Sequence, residues 1–285
     1  KTSGASINLD YTPTYNYSGI DIGAGARLTG FRLYTTHEQN SGLVNLSGDG
    51  ARIDRCFIDC TPSAPVGGAV RSVIFTGNFS FVMDHCDLVD TTSGGQMIYI
   101  DGATNTYHTP QSYGTTNCAM VEDCTMYKSA WNDGICDGRT GGKVTIRHCL
   151  VTNSVMGWHG ADTGTRSFRM AEVYQNNIHV TFTSYNALIQ FRGGSGVVWS
   201  NTVTGDARQL LELRLYRAKS GYSTSDWPDW ASGTNWADGN FDSFLFQYHE
   251  YTQNICCSAA RHHVQHGFKD LAVVRNKETL GCQVM

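Results

Sequence analysis

Apolar and polar residues alternate along short segments that return along the chain at intervals of roughly 25 residues or more. Ala51 and Ile53, for example, stand two residues apart before Cys56. A two-residue period is that of a β-strand, and helical periodicity is missing from these segments. The column that follows the apolar pair consists of Cys56, Cys86, Cys124, Cys149, Asn176 and Asn201. The pattern predicts a coil of short strands whose turns stack on one another.

A second apolar column precedes the first, and its segments end at or near a glycine that suits a corner of the coil. Its members are Leu46, Phe75, Ile100, Cys136, Trp158 and Phe191. If these side chains point inward, the residues that follow them point outward, because side chains alternate along a strand. The expected outward row is Ser47, Thr76, Asp101, Asp137, His159 and Arg192, continued by Arg214. Residues far apart in sequence are therefore expected to line up on neighbouring turns.

Two or three short strands per turn predict an all-β fold, a right-handed parallel β-helix of about seven or eight turns. The prediction divides the chain into the β-helix, residues 1–215, and an irregular C-terminal cap, residues 216–285. The repeats resemble the right-handed parallel β-helix superfamily, which includes pectate lyases, polygalacturonases and many phage tailspikes. Residues 83–86, Met-Asp-His-Cys, look like the Ile-Asp-His-Cys strand of pectate lyases. The resemblance covers roughly residues 20–215 and indicates the fold more strongly than an activity.

Composition narrows the function classes. Only 16% of the residues are charged, the formal net charge is −4, and a hydrophobic fraction of 40% allows a large core. The chain lacks the basic footprint that nucleic-acid binding requires, and no apolar run approaches the length of a membrane span. The cysteine column is interpreted as a structural ladder, although the spacing of neighbouring turns would also permit disulfides. We expect a secreted protein, extracellular or on a virion surface, without nucleic-acid partners or a membrane span.

The outward row contains the residue types of an acid/base site. Asp101 and Asp137 on neighbouring turns, about 5 Å apart, could divide the acid and base roles of a glycoside hydrolase. His159 could relay a proton, and Arg192 and Arg214 could hold a sugar carboxylate by bidentate contacts. The order Asp, Asp, His, Arg resembles the active-site line of polygalacturonases, which implies corresponding roles for these residues. The leading hypothesis is hydrolysis of an acidic, pectin-like polysaccharide.

Two other interpretations of the row stay open. Asp101 and Asp137, with Asp133 or Asp162, could bind Ca²⁺ through oxygen ligands. An arginine would then abstract a proton in a polysaccharide lyase, as the pectate lyase resemblance implies. Alternatively, the row is a solvated polar face of a non-catalytic glycan-binding fibre or adhesin, which would form a homo-oligomer, a trimer as in phage spikes. Calcium is the one cofactor that these interpretations involve.

A second outward line follows the cysteine strand. It consists of Asp54, Asp84, Glu122, Arg147, Tyr174 and Trp199. Its acidic half could bind Ca²⁺, and Tyr174 and Trp199 could stack on a sugar ring, whereas a solvated face is the plainer interpretation. Beyond residue 215, three tryptophans in a polar loop fit either a cap over the last turn or a wall for carbohydrate stacking.

Overall fold

The computed structural model describes residues 5–8, 19–35, 42–61, 71–91, 96–102, 112–128, 134, 136–153, 155–159, 168–181, 188–192, 194–205, 211–213, 241–248, 250–251 and 270–275. Within these ranges the chain forms strands and turns and no helix, which confirms the predicted all-β class. The described part accordingly contains no helix of the length and apolarity that a membrane crossing requires.

The described strands form three parallel sheets, here called sheets A, B and C. Sheet A contains, in spatial order, β1 (Ser6–Asn8), β4 (Arg32–Thr35), β7 (Phe57–Cys60), β10 (Asp87–Asp90), β13 (Thr125–Lys128), β16 (Leu150–Thr152), β19 (Asn177–Val180), β22 (Thr202–Gly205) and β25 (Glu250–Tyr251). Sheet B contains β2 (Ile20–Ile22), β5 (Val44–Leu46), β8 (Arg71–Thr76), β11 (Gln96–Asp101), β14 (Cys136–Arg139), β17 (Met156–Trp158), β20 (Ile189–Phe191) and β23 (Leu211–Leu213). Sheet C contains β3 (Arg27–Thr29), β6 (Arg52–Asp54), β9 (Phe81–Asp84), β12 (Ala119–Glu122), β15 (Lys143–Arg147), β18 (Met170–Tyr174), β21 (Gly194–Trp199), β24 (Phe241–Tyr248) and β26 (Asp270–Arg275).

From β1 to β25 the chain visits the three sheets in rotation, so that each turn of the coil adds one strand to each sheet. The result is a right-handed parallel β-helix, which confirms the predicted architecture. Sheet B contains eight of the described strands, and sheets A and C contain nine each. Beyond residue 215, β24 and β26 extend sheet C and β25 extends sheet A.

The interior of the coil is filled by apolar side chains that repeat at one position of successive strands. The inward column of sheet B is Val44, Val73, Ile98, Cys136, Met156 and Ile189, all of them buried. Equivalent columns of sheets A and C complete one continuous core. Burial of these columns drives the stacking of turns, because a single turn cannot shield its own apolar face from water.

The cysteine and asparagine column lies at the corner between sheets C and A. The residue before each member has a positive φ although it is not glycine, and these residues are Arg55, His85, Asp123, His148, Gln175 and Ser200. The thiol of Cys149 donates to the carbonyl oxygen of Arg147 at 3.1 Å. In the next turn Asn176 accepts a hydrogen bond from the amide of Cys149, at 2.9 Å, and donates to the carbonyl oxygen of Ile146. These contacts support the interpretation as a structural ladder, and the described cysteines are free thiols.

One ion pair lies inside the coil rather than on its surface. Lys128 Nζ lies 2.7 Å from Asp90 Oδ2, and the two side chains are only 1% and 2% exposed. They face each other on neighbouring strands of sheet A. Strand parity directs them inward, because Leu88 and Met126, two residues before them, belong to the core. The pair replaces an apolar rung in this part of the interior.

Candidate functional site on the outer face of sheet B

Four side chains line up at the ends of neighbouring strands on the outer face of sheet B. Asp101 on β11 pairs with Arg139 on β14. The registers of β14 with β17 and of β17 with β20 place His159 directly after β17, between Arg139 on one side and Arg192 on the other. This is the line that the sequence predicts, with one exception. Arg139 stands where Asp137 was expected.

The exception arises from the register of β14. Asp137 pairs with Tyr99, and Gly138 takes the inward position that the sequence pattern gives to residue 136. Gly138 has no side chain, and the ring of Phe168 fills that space, since a Cβ on Gly138 would lie 2.6 Å from it. The backbones of Asp101 and Asp137 are therefore diagonal neighbours, roughly 7–8 Å apart, rather than opposite each other at about 5 Å. The expected register was wrong by two residues on this strand.

Asp137 is a buried acceptor at the centre of the site. Gln96 Nε2 donates to its Oδ2 at 2.6 Å, and the backbone amide of Gly138 donates to its Oδ1 at 2.7 Å. Nε2 of His159 lies 2.9 Å from Oδ2, and a terminal nitrogen of Arg192 lies 3.6 Å from Oδ1. Asp137 is 5% exposed, whereas the His159 side chain is 28% exposed. Asp137 therefore orients the imidazole, and His159 is the member of the pair that reaches solvent.

A chain of hydrogen bonds from Arg71 through Gln96 fixes the orientation of Asp137. Arg71 Nε donates to Gln96 Oε1 at 3.2 Å, which turns the amide so that its nitrogen faces Asp137. The Arg71 guanidinium lies 3.7 Å from the centroid of the Tyr99 ring, a close cation–π contact. Burial lowers the pKa of Arg71 and raises the pKa of Tyr99, so the phenol stays neutral at pH 7. The carboxylate thus occupies one fixed orientation.

Aromatic side chains of the core support the row from below. Trp158 and Phe191 occupy the inward positions just before His159 and Arg192, and their ring centroids lie 4.6 Å apart. Arg192 Nε donates to the carbonyl oxygen of Trp158 at 3.1 Å. His159 and Arg192 each follow directly after a buried strand end, so the fold sets the spacing of these two side chains rather than a loop.

Asp101 belongs to an exposed ion pair rather than to a carboxylate pair. Its Oδ2 lies 3.3 Å from a terminal nitrogen of Arg139, and the two side chains are 34% and 39% exposed. Within the described part of the chain, no group of three or more His, Cys, Asp and Glu residues is arranged to hold a metal ion. Asp133 and Asp162, the alternative additional ligands of the calcium hypothesis, lie outside the described residues, as does Arg214.

The second outward line keeps the predicted register along sheet C, from Asp54 to Trp199. Its acidic members contact arginines. Asp54 is fully buried and accepts from Arg27 Nε at 2.5 Å and from Arg52 Nε at 3.0 Å. Arg27, opposed by desolvation, lowers the pKa of Asp54 well below its ordinary value, with help from Thr29 and Arg52. This carboxylate stabilises the N-terminal turns.

We expect Asp54→Asn to reduce the free energy of unfolding by about 2 kcal/mol at pH 7, because hydrogen bonds to a charged acceptor are lost. Since the folded-state pKa is lowered, this contribution is complete above the unfolded pKa of about 4 and is lost as the pH falls below it. Urea unfolding at pH 7 and pH 3 measures the difference. Asp21→Asn, at an exposed position of sheet B, is the control. An unchanged difference at the two pH values would contradict the linkage.

Tyr174 and Trp199 lie on sheet C, so they do not belong to the row that carries His159. Their rings stack on each other at 4.9 Å, and Arg147 donates to the Tyr174 hydroxyl at 3.0 Å. The facing sides of the two rings are therefore already used within the stack. The sugar-stacking role of these two residues stays a prediction, and it would concern a face other than that of the acid/base row.

Four residues of the sheet B site were missed in the sequence, and they are Arg71, Gln96, Tyr99 and Arg139. The sequence signal for Arg139 was the glycine pair Gly141-Gly142. In the structure, Thr140 and Gly141 have positive φ and form the turn that ends β14. Aligning this turn, rather than Gly138, with the glycine corners of other repeats would have placed Arg139 in the row. Arg71 and Gln96 carried no comparable signal, since they lie at strand beginnings where the repeat is irregular.

Comparison with known proteins does not extend these observations. No protein-family model, no curated protein and no solved structure matches the chain. What the fold and the site establish together is a parallel β-helix that carries an Asp–His pair and flanking arginines on one sheet.

Proposed function

We propose that the protein cleaves an acidic polysaccharide by β-elimination on the outer face of sheet B. The observation that carries the proposal is the contact of His159 Nε2 with Asp137 Oδ2, at 2.9 Å, beside Arg192. A buried carboxylate orients the imidazole. A guanidinium next to it can neutralise the carboxylate of a uronate residue. These are the two groups that proton abstraction next to a carboxylate needs.

The reaction would proceed in three steps: proton abstraction, cleavage of the glycosidic bond and protonation of the leaving oxygen. His159, through the ring nitrogen that does not face Asp137, takes the proton from the carbon next to the uronate carboxylate. The electron pair of that C–H bond forms a carbon–carbon double bond, and the glycosidic C–O bond on the adjacent carbon breaks. The leaving oxygen keeps the bonding electrons and is protonated, with water as the simplest donor. Arg192 stabilises the negative charge that builds on the carboxylate during proton abstraction.

Glycoside hydrolysis is the second candidate, and one observation favours it. The backbones of Asp101 and Asp137 lie roughly 7–8 Å apart on the diagonal, which is compatible with the separation of about 6.5–9.5 Å between the carboxyl groups of inverting glycosidases. Elimination is preferred because Asp137 is 5% exposed and already has several donors, whereas a hydrolytic base or acid must reach the substrate or a water. The predicted calcium-assisted lyase would share the elimination product.

The proposal also includes a superfamily and a cellular location. The parallel β-helix and the sequence motifs favour membership of the superfamily of pectate lyases and polygalacturonases. A polymeric glycan substrate favours a secreted protein. A non-catalytic fibre with the same surface would bind glycans without cleaving them.

Product analysis tests the function directly. The purified protein is incubated with polygalacturonate, with alginate and, as a control, with a neutral glucan. Elimination is expected to produce ultraviolet absorbance from the new double bond conjugated to the carboxylate, with the uronate polymers only. New reducing ends without that absorbance would overturn elimination in favour of hydrolysis. Binding of uronate polymers without either product would overturn both enzymatic functions.

A further inference from the structure

Two guanidinium groups flank His159, one on each neighbouring strand. Arg192 lies opposite His159 on one side, and Arg139 lies opposite it on the other. Neighbouring parallel strands are about 4.8 Å apart, so the backbones of the two arginines lie about 10 Å apart along the coil axis. Arg192 reaches Asp137 on β14 and Arg139 reaches Asp101 on β11, so the two guanidiniums lie beside different carboxylates.

Only part of the hydrogen-bonding capacity of the Arg139 guanidinium is satisfied. A terminal nitrogen donates to Asp101 at 3.3 Å, and Nε is a buried donor with no acceptor among the described residues. An arginine can offer five donors in a planar fork. The pair with Asp101 is exposed, and such pairs contribute little because water competes for both partners. A ligand carboxylate can therefore replace Asp101 as the counter-ion.

The orientation of Arg139 is set by the site rather than by Asp101 alone. Its guanidinium carbon lies 5.6 Å from the centroid of the Tyr99 ring, which Arg71 approaches at 3.7 Å. Tyr99 is buried, and it pairs with Asp137 across β11 and β14. The attraction of a cation to the ring restrains the side chain before any ligand arrives, which lowers the entropy lost on binding.

We infer that Arg139 forms a second carboxylate subsite and that the ligand is a polyanionic glycan whose chain runs along the coil axis. Arg192 binds the carboxylate of the reacting residue, and Arg139 binds the carboxylate of another residue of the same chain. Asp101 forms the ion pair with Arg139 when no ligand is bound. The inference rests on the proposed function for the role of Arg192, and it adds that the site discriminates polymers from single uronic acids.

The test is calorimetric titration of galacturonate oligomers and of monomeric galacturonate, in His159→Gln variants so that no turnover interferes. Arg139→Gln is expected to weaken oligomer binding by about 10-fold or more, and to leave monomer binding unchanged, because one charge-assisted contact is lost. The affinity of Arg139→Gln for oligomers should also depend less on salt concentration. Arg139→Lys, which keeps the charge, is the conservative control and should retain part of the affinity.

Asp101→Asn gives an independent readout of opposite sign. Removing the counter-ion of Arg139 is expected to strengthen oligomer binding several-fold. Unchanged oligomer binding in Arg139→Gln, or weakened binding in Asp101→Asn, would overturn the inference. Absence of any binding of uronate oligomers would overturn it as well. If wild-type protein shows no elimination but Arg139→Gln still weakens oligomer binding, the subsite stands and the proposed function fails.

Discussion

His159→Ala is expected to lower the rate of uronate polymer cleavage by about 10²–10⁴-fold, the usual contribution of a general base. Asp137→Asn is expected to lower it strongly as well. An amide in place of the carboxylate can donate to Nε2, where Asp137 accepts, and so favours the wrong tautomer of the imidazole. Initial rates of double-bond formation at saturating polymer measure both effects.

The matched control is His179→Ala, which removes an exposed histidine from sheet A, outside the sheet B site. Its rate should stay near that of the wild type. Thermal unfolding of each variant separates loss of chemistry from loss of fold. If His159→Ala keeps its activity while Asp101→Asn abolishes it, His159 is not the base and the hydrolytic candidate gains support.

Lys128→Met is expected to reduce the free energy of unfolding by about 3–5 kcal/mol, because it leaves the carboxylate of Asp90 buried without its cation. The lysine stem is replaced by an apolar chain of similar volume, so the loss reflects charge rather than a cavity. Urea titration followed by tryptophan fluorescence and by circular dichroism measures the change in midpoint.

The double variant Lys128→Met with Asp90→Leu is expected to recover most of that loss, since replacing a whole buried pair by apolar residues is often neutral or stabilising. Arg147→Met, which breaks a partly exposed ion pair with Glu122, is the control and should cost about 1 kcal/mol or less. A loss in the double variant as large as in Lys128→Met would show that the pair itself stabilises the interior.

The β-helix was predictable because its signals are local. Two-residue alternation fixes which side chains of a strand point inward, and the residues at the corner between sheets C and A recur with each turn. Sheet C illustrates this, since the line from Asp54 to Trp199 has the predicted register at every strand. Short and regular connections from sheet C to sheet A also fix the position of the cysteine ladder, from Cys56 to Cys149.

Sheet B was less predictable because its register depends on contacts between distant residues. The glycine that follows Asp137 looks like the corner glycines of other repeats, yet the ring of Phe168 packs into its place and moves the corner to Thr140 and Gly141. Strand parity could have shown that Asp90 and Lys128 point inward, but not that their charged groups meet at 2.7 Å.

The sequence by itself determined the fold class, the side of each strand that faces inward and the sheet C line, because alternation and corner residues act within a few positions of the chain. Tertiary structure alone decided that Asp137 supports His159 instead of facing Asp101, and that Arg139 joins the row. The physical reason is that pairing between neighbouring strands is set by how side chains fill the interior and by the lengths of the connections. The filling of the interior and the lengths of the connections cannot be derived from the residue pattern of a single strand.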